Sequence, residues 1–299
     1  MLRIIITVFV SLNISICQKG YTQSTDTNRV TNKKRLTYLI IGSTVSYGAS
    51  LYGLNELWYK NNPRTSFHFF NDNREWKQMD KVGHFYTSFY LSTIGIDLLK
   101  WSGVPEKKAI ILDNALGILL LTPIEILDGY SSAYGASWGD EIADASGDLF
   151  VLGQYLLWKQ LYIYPKFSFH STGLAKLRPN VLGSNIVEQS LKDYNGQTYW
   201  LSFPIKPLIK KNHCFPDWLN ISMGYGAYNM VYANPAINKA NGYNAYRRYF
   251  LSLDINFRNI KTKSKALKTF FYMLNLVHVP LPALEYNSHR GIVFHAVYF

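Results

Sequence analysis

The sequence predicts an α+β protein: an N-terminal apolar helical bundle of about four helices, followed by an antiparallel, aromatic-rich β region with one further helix. Two changes along the chain carry this prediction. Apolar segments of helical length dominate as far as Tyr164, whereas aromatic and β-branched runs separated by turn clusters follow Pro165. The charge balance changes at nearly the same place: residues 1–158 hold 14 Lys/Arg and 14 Asp/Glu, while residues 159–299 hold 17 and 5. A chain of 299 residues with 48% hydrophobic content has enough apolar side chain to bury a core, so disorder is not the default.

Residues 1–17, MLRIIITVFVSLNISIC, read as a secretory signal peptide with Arg3 as its basic start, an apolar stretch from Ile4 to Leu12, and cleavage near Cys17 and Gln18. The apolar stretch is too short to span a bilayer. The expected location is therefore outside the cytoplasm, in the outer membrane or periplasm and membrane-associated. Export excludes nucleic acid as the partner of the basic second half and points instead to membrane lipid or an anionic envelope glycolipid. Cys17 also offers a lipidation site, although Ile16 is bulkier than the small residue that usually precedes a lipidated cysteine. With Cys17 removed or lipidated, Cys214 is the only remaining thiol and no internal disulfide forms.

Residues 18–35 form a flexible basic lead-in ending in Asn-Lys-Lys-Arg, and residues 36–165 form the helical, membrane-associated domain. Its apolar segments run from Leu36 to Tyr59, Asp80 to Trp101, Lys108 to Leu127 and Ser137 to Tyr164. Asp97, Asp113 and Glu125 interrupt them, so none is cleanly a membrane-crossing helix. Pro123 is expected to kink or break the third. Residues 166–299 form the basic β-rich region. Its strands are read at 198–205, 218–232, 246–259 and 291–299, and its helix at 264–280, stopped by Pro280 and Pro282. The aromatic strands resemble those of an outer-membrane barrel but are too few for one, so a small sheet placing Tyr and Lys at a lipid surface is expected.

The chemistry-bearing residues fall in three stretches. Asp80 and His84 lie one helical turn apart in DKVGHFYTSF, which lets a carboxylate orient an imidazole; the bland reading makes Asp80 a helix cap and His84 a buried accessory. TPIEILDGY places Glu125 between two isoleucines and Asp128 three residues later. GASWGDEIADASGDLF opens with Ser137 and Asp140 in a capping pattern, and Asp140, Asp144 and Asp148 then repeat every four residues. Turned inward, that stripe needs a cation, a basic side chain or a proton. Gly135 to Gly139 also satisfies G-x-S-x-G around Ser137, but no strand precedes it and His84 comes earlier in the chain, contrary to the serine-hydrolase order.

DKVGHFY, PIEILDGYSSAYGASWGDEIADASG and DYNGQTYWLS together resemble the YfiM-like proteins, a family of unknown function made up of predicted periplasmic or outer-membrane lipoproteins, in the long form of Bacteroidetes-type bacteria. Asp80 to His84 also share a D-K-x-x-H element with VanZ-like membrane proteins. The resemblance implies no activity. It marks Asp80, His84, Glu125, Asp128, Ser137 and Asp140 as part of the family pattern; where relatives favour Asn, this chain has Asp144.

Two functions follow from these residues. One is a structural or lipid- or ligand-binding envelope protein in which the acids and His84 form a buried network. The alternative is an envelope hydrolase acting on a lipid- or glycan-like substrate, with His84 as a base oriented by Asp80 and with Glu125 or Asp140 as the acid. A metal-assisted version would hold Mg²⁺, Ca²⁺ or Mn²⁺ on His84, Glu125, Asp128, Asp140 and Asp144, since one imidazole among carboxylates favours a hard ion. A lesser alternative is a serine hydrolase using Ser137.

Overall fold

The structure, a computed structural model, describes residues 30–59, 62–208 and 215–299. The signal peptide and Cys17, most of the lead-in, and Cys214 lie outside the described residues. The chain divides into two compact units, one of residues 1–72 and 83–159, the other of residues 73–82 and 160–299.

The first unit is helical. Helix α1 (Lys33–Leu54) starts where the Asn32 side chain accepts the Arg35 N–H, and it continues as a π-helical turn over Asn55–Tyr59. Helix α2 (Met79–Trp101) has its first residues in the second unit. Helix α3 (Glu106–Gly129) runs through Pro123 without ending there, so of the expected kink or break the break does not occur. Helix α4 (Trp138–Trp158) is capped by Ser137 and closes on Lys159, whose φ of 59° is left-handed.

Polar and apolar side chains are distributed unusually across these helices. Phe89, Tyr90, Ile96, Leu121, Ile124 and Val151 are buried, but so are His84, Asp97, Asp113, Glu125, Asp140, Asp144 and Asp148. Large apolar side chains such as Ile111, Leu116, Ile142, Leu149 and Leu157 face outward. Glycines make room for the buried acids. A Cβ on Gly95 would lie 1.8 Å from Asp113 Oδ1, and one on Gly117 would lie 2.2 Å from Asp148 Oδ2. Among the described residues no helix is long and apolar enough to cross a membrane.

The second unit is built on a six-stranded antiparallel meander: β1 (Tyr164–Phe169), β2 (Gln197–Pro204), β3 (Leu219–Tyr228), β4 (Tyr246–Ile255), β5 (Leu281–Asn287) and β6 (Gly291–Tyr298), each pairing with the next. The β5–β6 turn shows why the order is sequential. Asn287 Oδ1 accepts the His289 and Arg290 N–H groups, and Gly291 then takes a φ of +72°.

One face of the sheet is buried and largely polar. Lys166 Nζ lies 2.8 Å from Asp254 Oδ2 and donates to the Ile255 carbonyl at 2.6 Å, with both charged side chains fully buried. Arg248 forms a two-pronged pair with Glu285 at 2.7 Å on each arm, and His295 Nε2 meets the same carboxylate at 2.7 Å. The two-pronged pair and the imidazole hold the Glu285 carboxyl down to about 2 against the opposing effect of burial. Trp200 stacks on His278 at 3.9 Å and packs with Phe250, Ala283 and Tyr298.

The sequence-based fold requires correction on one point: the helices do not form a separate N-terminal bundle, although the mixed α+β character stands. Helices α5 (Pro179–Leu182), α6 (Ile186–Lys192), α7 (Pro235–Ala240) and α8 (Lys265–Leu274) are interleaved with the strands, in place of one further helix. The reason lies in their starts. Asn185 and Asn234 cap α6 and α7, and Pro179 and Pro235 occupy the first turns of α5 and α7, so residues that read as loop punctuation begin helices. The fourth apolar segment ends at Trp158, and Pro165 falls inside edge strand β1, where the missing N–H is tolerated.

The buried Lys166–Asp254 pair carries a stability prediction. Lys166→Met strands the Asp254 charge among apolar and hydroxyl groups and is expected to cost about 3–5 kcal/mol, read as a lower urea midpoint. Lys166→Met with Asp254→Asn is expected to recover much of that loss.

Candidate functional site

The site is built on α2, α3 and α4 of the first unit. Asp140 and Asp144 are separated by one turn of α4 and so share a face. His84 of α2 is received between them: Nδ1 is 3.1 and 3.2 Å from the two Asp144 oxygens, and Nε2 is 3.6 Å from Asp140 Oδ1. His84, Asp140 and Asp144 are 8%, 4% and 1% exposed, so the arrangement is closed from solvent. Ser88, one turn after His84, donates to the Asp144 carbonyl at 2.5 Å and ties the two helices by a second bond. Gly147 allows this approach, since a Cβ there would meet the Phe85 carbonyl at 2.6 Å.

Glu125, near the end of α3, accepts the Ser137 N–H on Oε2 at 2.9 Å, and its buried Oε1 has no hydrogen-bond partner. Burial, with Asp140 nearby, pushes its carboxyl up to about 9; His84 and the Ser137 N–H oppose the shift. It is therefore protonated at neutral pH. Asp148 is pushed up to about 7 by burial, with Ser88 opposing and Asp144 adding to the rise. Asp113 is pushed well above the usual carboxylate range by burial, with Ser92 opposing and Asp148 and Asp97 adding. Together with Asp140 and Asp144 these carboxyls are buried within the helices, and His84 faces Asp140 and Asp144.

The other sequence-predicted residues have different partners. Asp128 accepts the Tyr59 hydroxyl at 2.7 Å. Ser137 donates to Asp72 Oδ1 at 2.6 Å and accepts the Gly139 and Asp140 N–H groups as the cap of α4. Its proton goes to a carboxylate rather than to a histidine, and it stands at the entry of a helix with no strand before it, which is not the geometry of a nucleophile elbow. Asp80 sits in the first turn of α2, in the portion grouped with the second unit, and accepts the Tyr194 hydroxyl at 2.5 Å.

An ion at the first-unit residues would use His84 Nε2 and Asp140, with Asp144 holding Nδ1–H as an orienting carboxylate. Glu125 Oε2 accepts the Ser137 N–H while its Oε1 has no hydrogen-bond partner, and Asp128 accepts the Tyr59 hydroxyl. Asp72 and the Ser88 bond escaped the sequence reading because neither lies in a recognisable motif. Asp97 and Asp113 were visible as charges inside apolar segments.

Residues 68–156 match the family model described as Predicted periplasmic lipoprotein (DUF2279). The matched span holds His84, Glu125, Asp128, Ser137 and the Asp140, Asp144, Asp148 stripe. That description agrees with an exported, periplasmic envelope protein of lipoprotein type. No curated protein and no solved structure matches the chain.

The raised carboxyls give stability a pH dependence of definite sign. A group whose folded pKa lies above its unfolded value stabilises fully below the unfolded pKa, and that contribution is lost as pH rises to the folded pKa. For Glu125 the window is about 4.5 to about 9 and for Asp148 about 3.8 to about 7, with a slope on the order of 1 kcal/mol per pH unit for each group. Urea midpoints are expected to fall between pH 5.5 and 8.5, and Glu125→Gln is expected to flatten that fall.

Proposed function

We propose that the protein is a membrane-associated envelope protein, YfiM-like in its long form, whose His84–carboxylate cluster acts as a structural lock. The observation that carries this reading is that both ring nitrogens of a buried imidazole face carboxylates of one helix. Both ring nitrogens are thus taken up by the protein's own carboxylates, whereas a general base needs a lone pair aimed at a substrate proton. In the same structure the glycine cradles and the cap at Ser137 fix the helices that present the acids. The partner of the protein as a whole is membrane lipid or an anionic envelope glycolipid.

A second reading, an acid–base hydrolase, draws on Glu125. Its carboxyl is protonated near neutrality, stands within electrostatic reach of His84 and keeps one oxygen uncommitted, which are the properties of a general acid. One comparison separates the two. His84→Gln and Asp140→Asn are purified and assayed for folding and for complementation of the deletion phenotype. The lock predicts that His84→Gln lowers stability by about 3–5 kcal/mol, because it leaves Asp140 and Asp144 facing each other without the imidazole. Catalysis predicts folded variants of near-normal stability that do not complement. Elemental analysis of the purified protein tests the Mg²⁺, Ca²⁺ or Mn²⁺ version, which requires stoichiometric metal that is lost in His84→Gln.

A further inference from the structure

We infer that the outward face of the β-sheet in the second unit is a lipid-docking surface that enters one leaflet of an anionic phospholipid bilayer. The inference begins with register. Leu201, Met223, Leu251, Leu284 and Phe294 are paired in turn across β2 to β6, which makes one unbroken apolar row over five strands. Its last four members are exposed, Phe294 by 65%. The neighbouring row, two residues along each strand, runs Tyr225, Tyr249, Tyr286, Ile292. On the opposite face the same strands bury Ser202, Ser222, Ser252, Asp254 and Glu285. The aromatic cluster of Trp200, Phe250, Ala283 and Tyr298 is buried beside these polar groups, yet the outward face is apolar as well, which departs from the polar outer face expected of a sheet that faces water. Tyr249 and Tyr286 of the tyrosine row are exposed, and tyrosines bordering an apolar band can place ring hydroxyls at headgroup depth, whereas the Tyr225 hydroxyl donates to the Lys77 carbonyl.

The occupant is indicated by what lies at the other end of the strands. Helix α8 joins β4 to β5 there and buries none of its residues. It exposes Leu267, Phe270 and Met273 at three-residue spacing, with Lys265 and Lys268 beside them. A short helix with an unburied apolar stripe and lysines fits the boundary between acyl chains and anionic headgroups better than it fits a protein groove. The charge of the chain agrees: residues 159–299 carry 17 Lys/Arg against 5 Asp/Glu.

This deepens the membrane-associated part of the function proposed above and leaves the His84 lock untouched. The two fail separately, because one is read by vesicle contact and the other by unfolding. The test uses the full chain with Cys17→Ser and Cys214→Ser and a fluorescent label at Phe294→Cys or, as a control, at the exposed Ser184→Cys. Vesicles of phosphatidylcholine and phosphatidylglycerol carrying doxyl-labelled acyl chains are added. Quenching of the label at 294 with the label at 184 unaffected supports the inference. Equal quenching at both positions, no quenching at either, or shielding of the 294 label by self-association without lipid overturns it. Lys265→Gln with Lys268→Gln is expected to weaken partition into these vesicles about 30-fold, from the ordinary contribution of a lysine near an anionic surface. Unchanged partition overturns the role given to α8. Both lysines and Phe294 are exposed, so these variants keep the fold, and circular dichroism checks that they do.

Discussion

The first unit depends on how its helices accommodate buried acids. Asp140 and Asp144 point into the protein from one face of α4, and like charges a turn apart repel. The His84 imidazole stands between them, and burial pushes the neighbouring Glu125 carboxyl above its ordinary range; on the lock proposed above, these two features make the arrangement tenable. The surrounding features follow from that need. Glycines at 95, 117 and 147 let helices approach closely enough to enclose the acids, and Ser88 adds a bond to the Asp144 carbonyl. Ser137 sets the start of α4 by accepting two of its amides, while its own N–H goes to Glu125. The lock, the cap and the acid at the end of α3 thus form one connected arrangement.

The second unit meets a related constraint with different chemistry. Its buried polar face holds ion pairs, Lys166 with Asp254 and Arg248 with Glu285, where the buried acids Asp140 and Asp144 of the first unit face one imidazole. That difference is visible in the carboxyls: the two-pronged pair holds Glu285 far below the usual range, whereas burial drives Glu125 and Asp148 above it. Both units put large apolar side chains outward. In the sheet this exposure is ordered into rows across neighbouring strands.

Much of this was legible in the sequence. The three stretches DKVGHFY, PIEILDG and GASWGDEIADASGD each carry a side chain of the cluster or its immediate frame, and periodicity placed them on helices. Spacing alone could not divide the roles. Asp80 and His84 share a helix face, yet Asp80 accepts a tyrosine hydroxyl while His84 meets the acids of α4; Asp128 pairs with Tyr59 and Ser137 with Asp72. Those partners lie far away in sequence, 60 residues for His84 and Asp144 and 65 for Ser137 and Asp72, beyond the reach of helical spacing. The same limit explains the missed helices, where Asn caps and first-turn prolines resembled loop signals, and the missed strand β1, whose Pro165 is permitted because it lies at the sheet edge.

The central claim is that His84 and Asp144 stabilise the fold as a coupled pair. A double-mutant cycle on urea unfolding, with His84→Gln, Asp144→Asn and the double variant, measures that coupling directly. The account predicts a coupling energy of more than about 1 kcal/mol, with the double variant markedly more stable than the sum of the single losses implies. Additive losses within about 0.3 kcal/mol would contradict it.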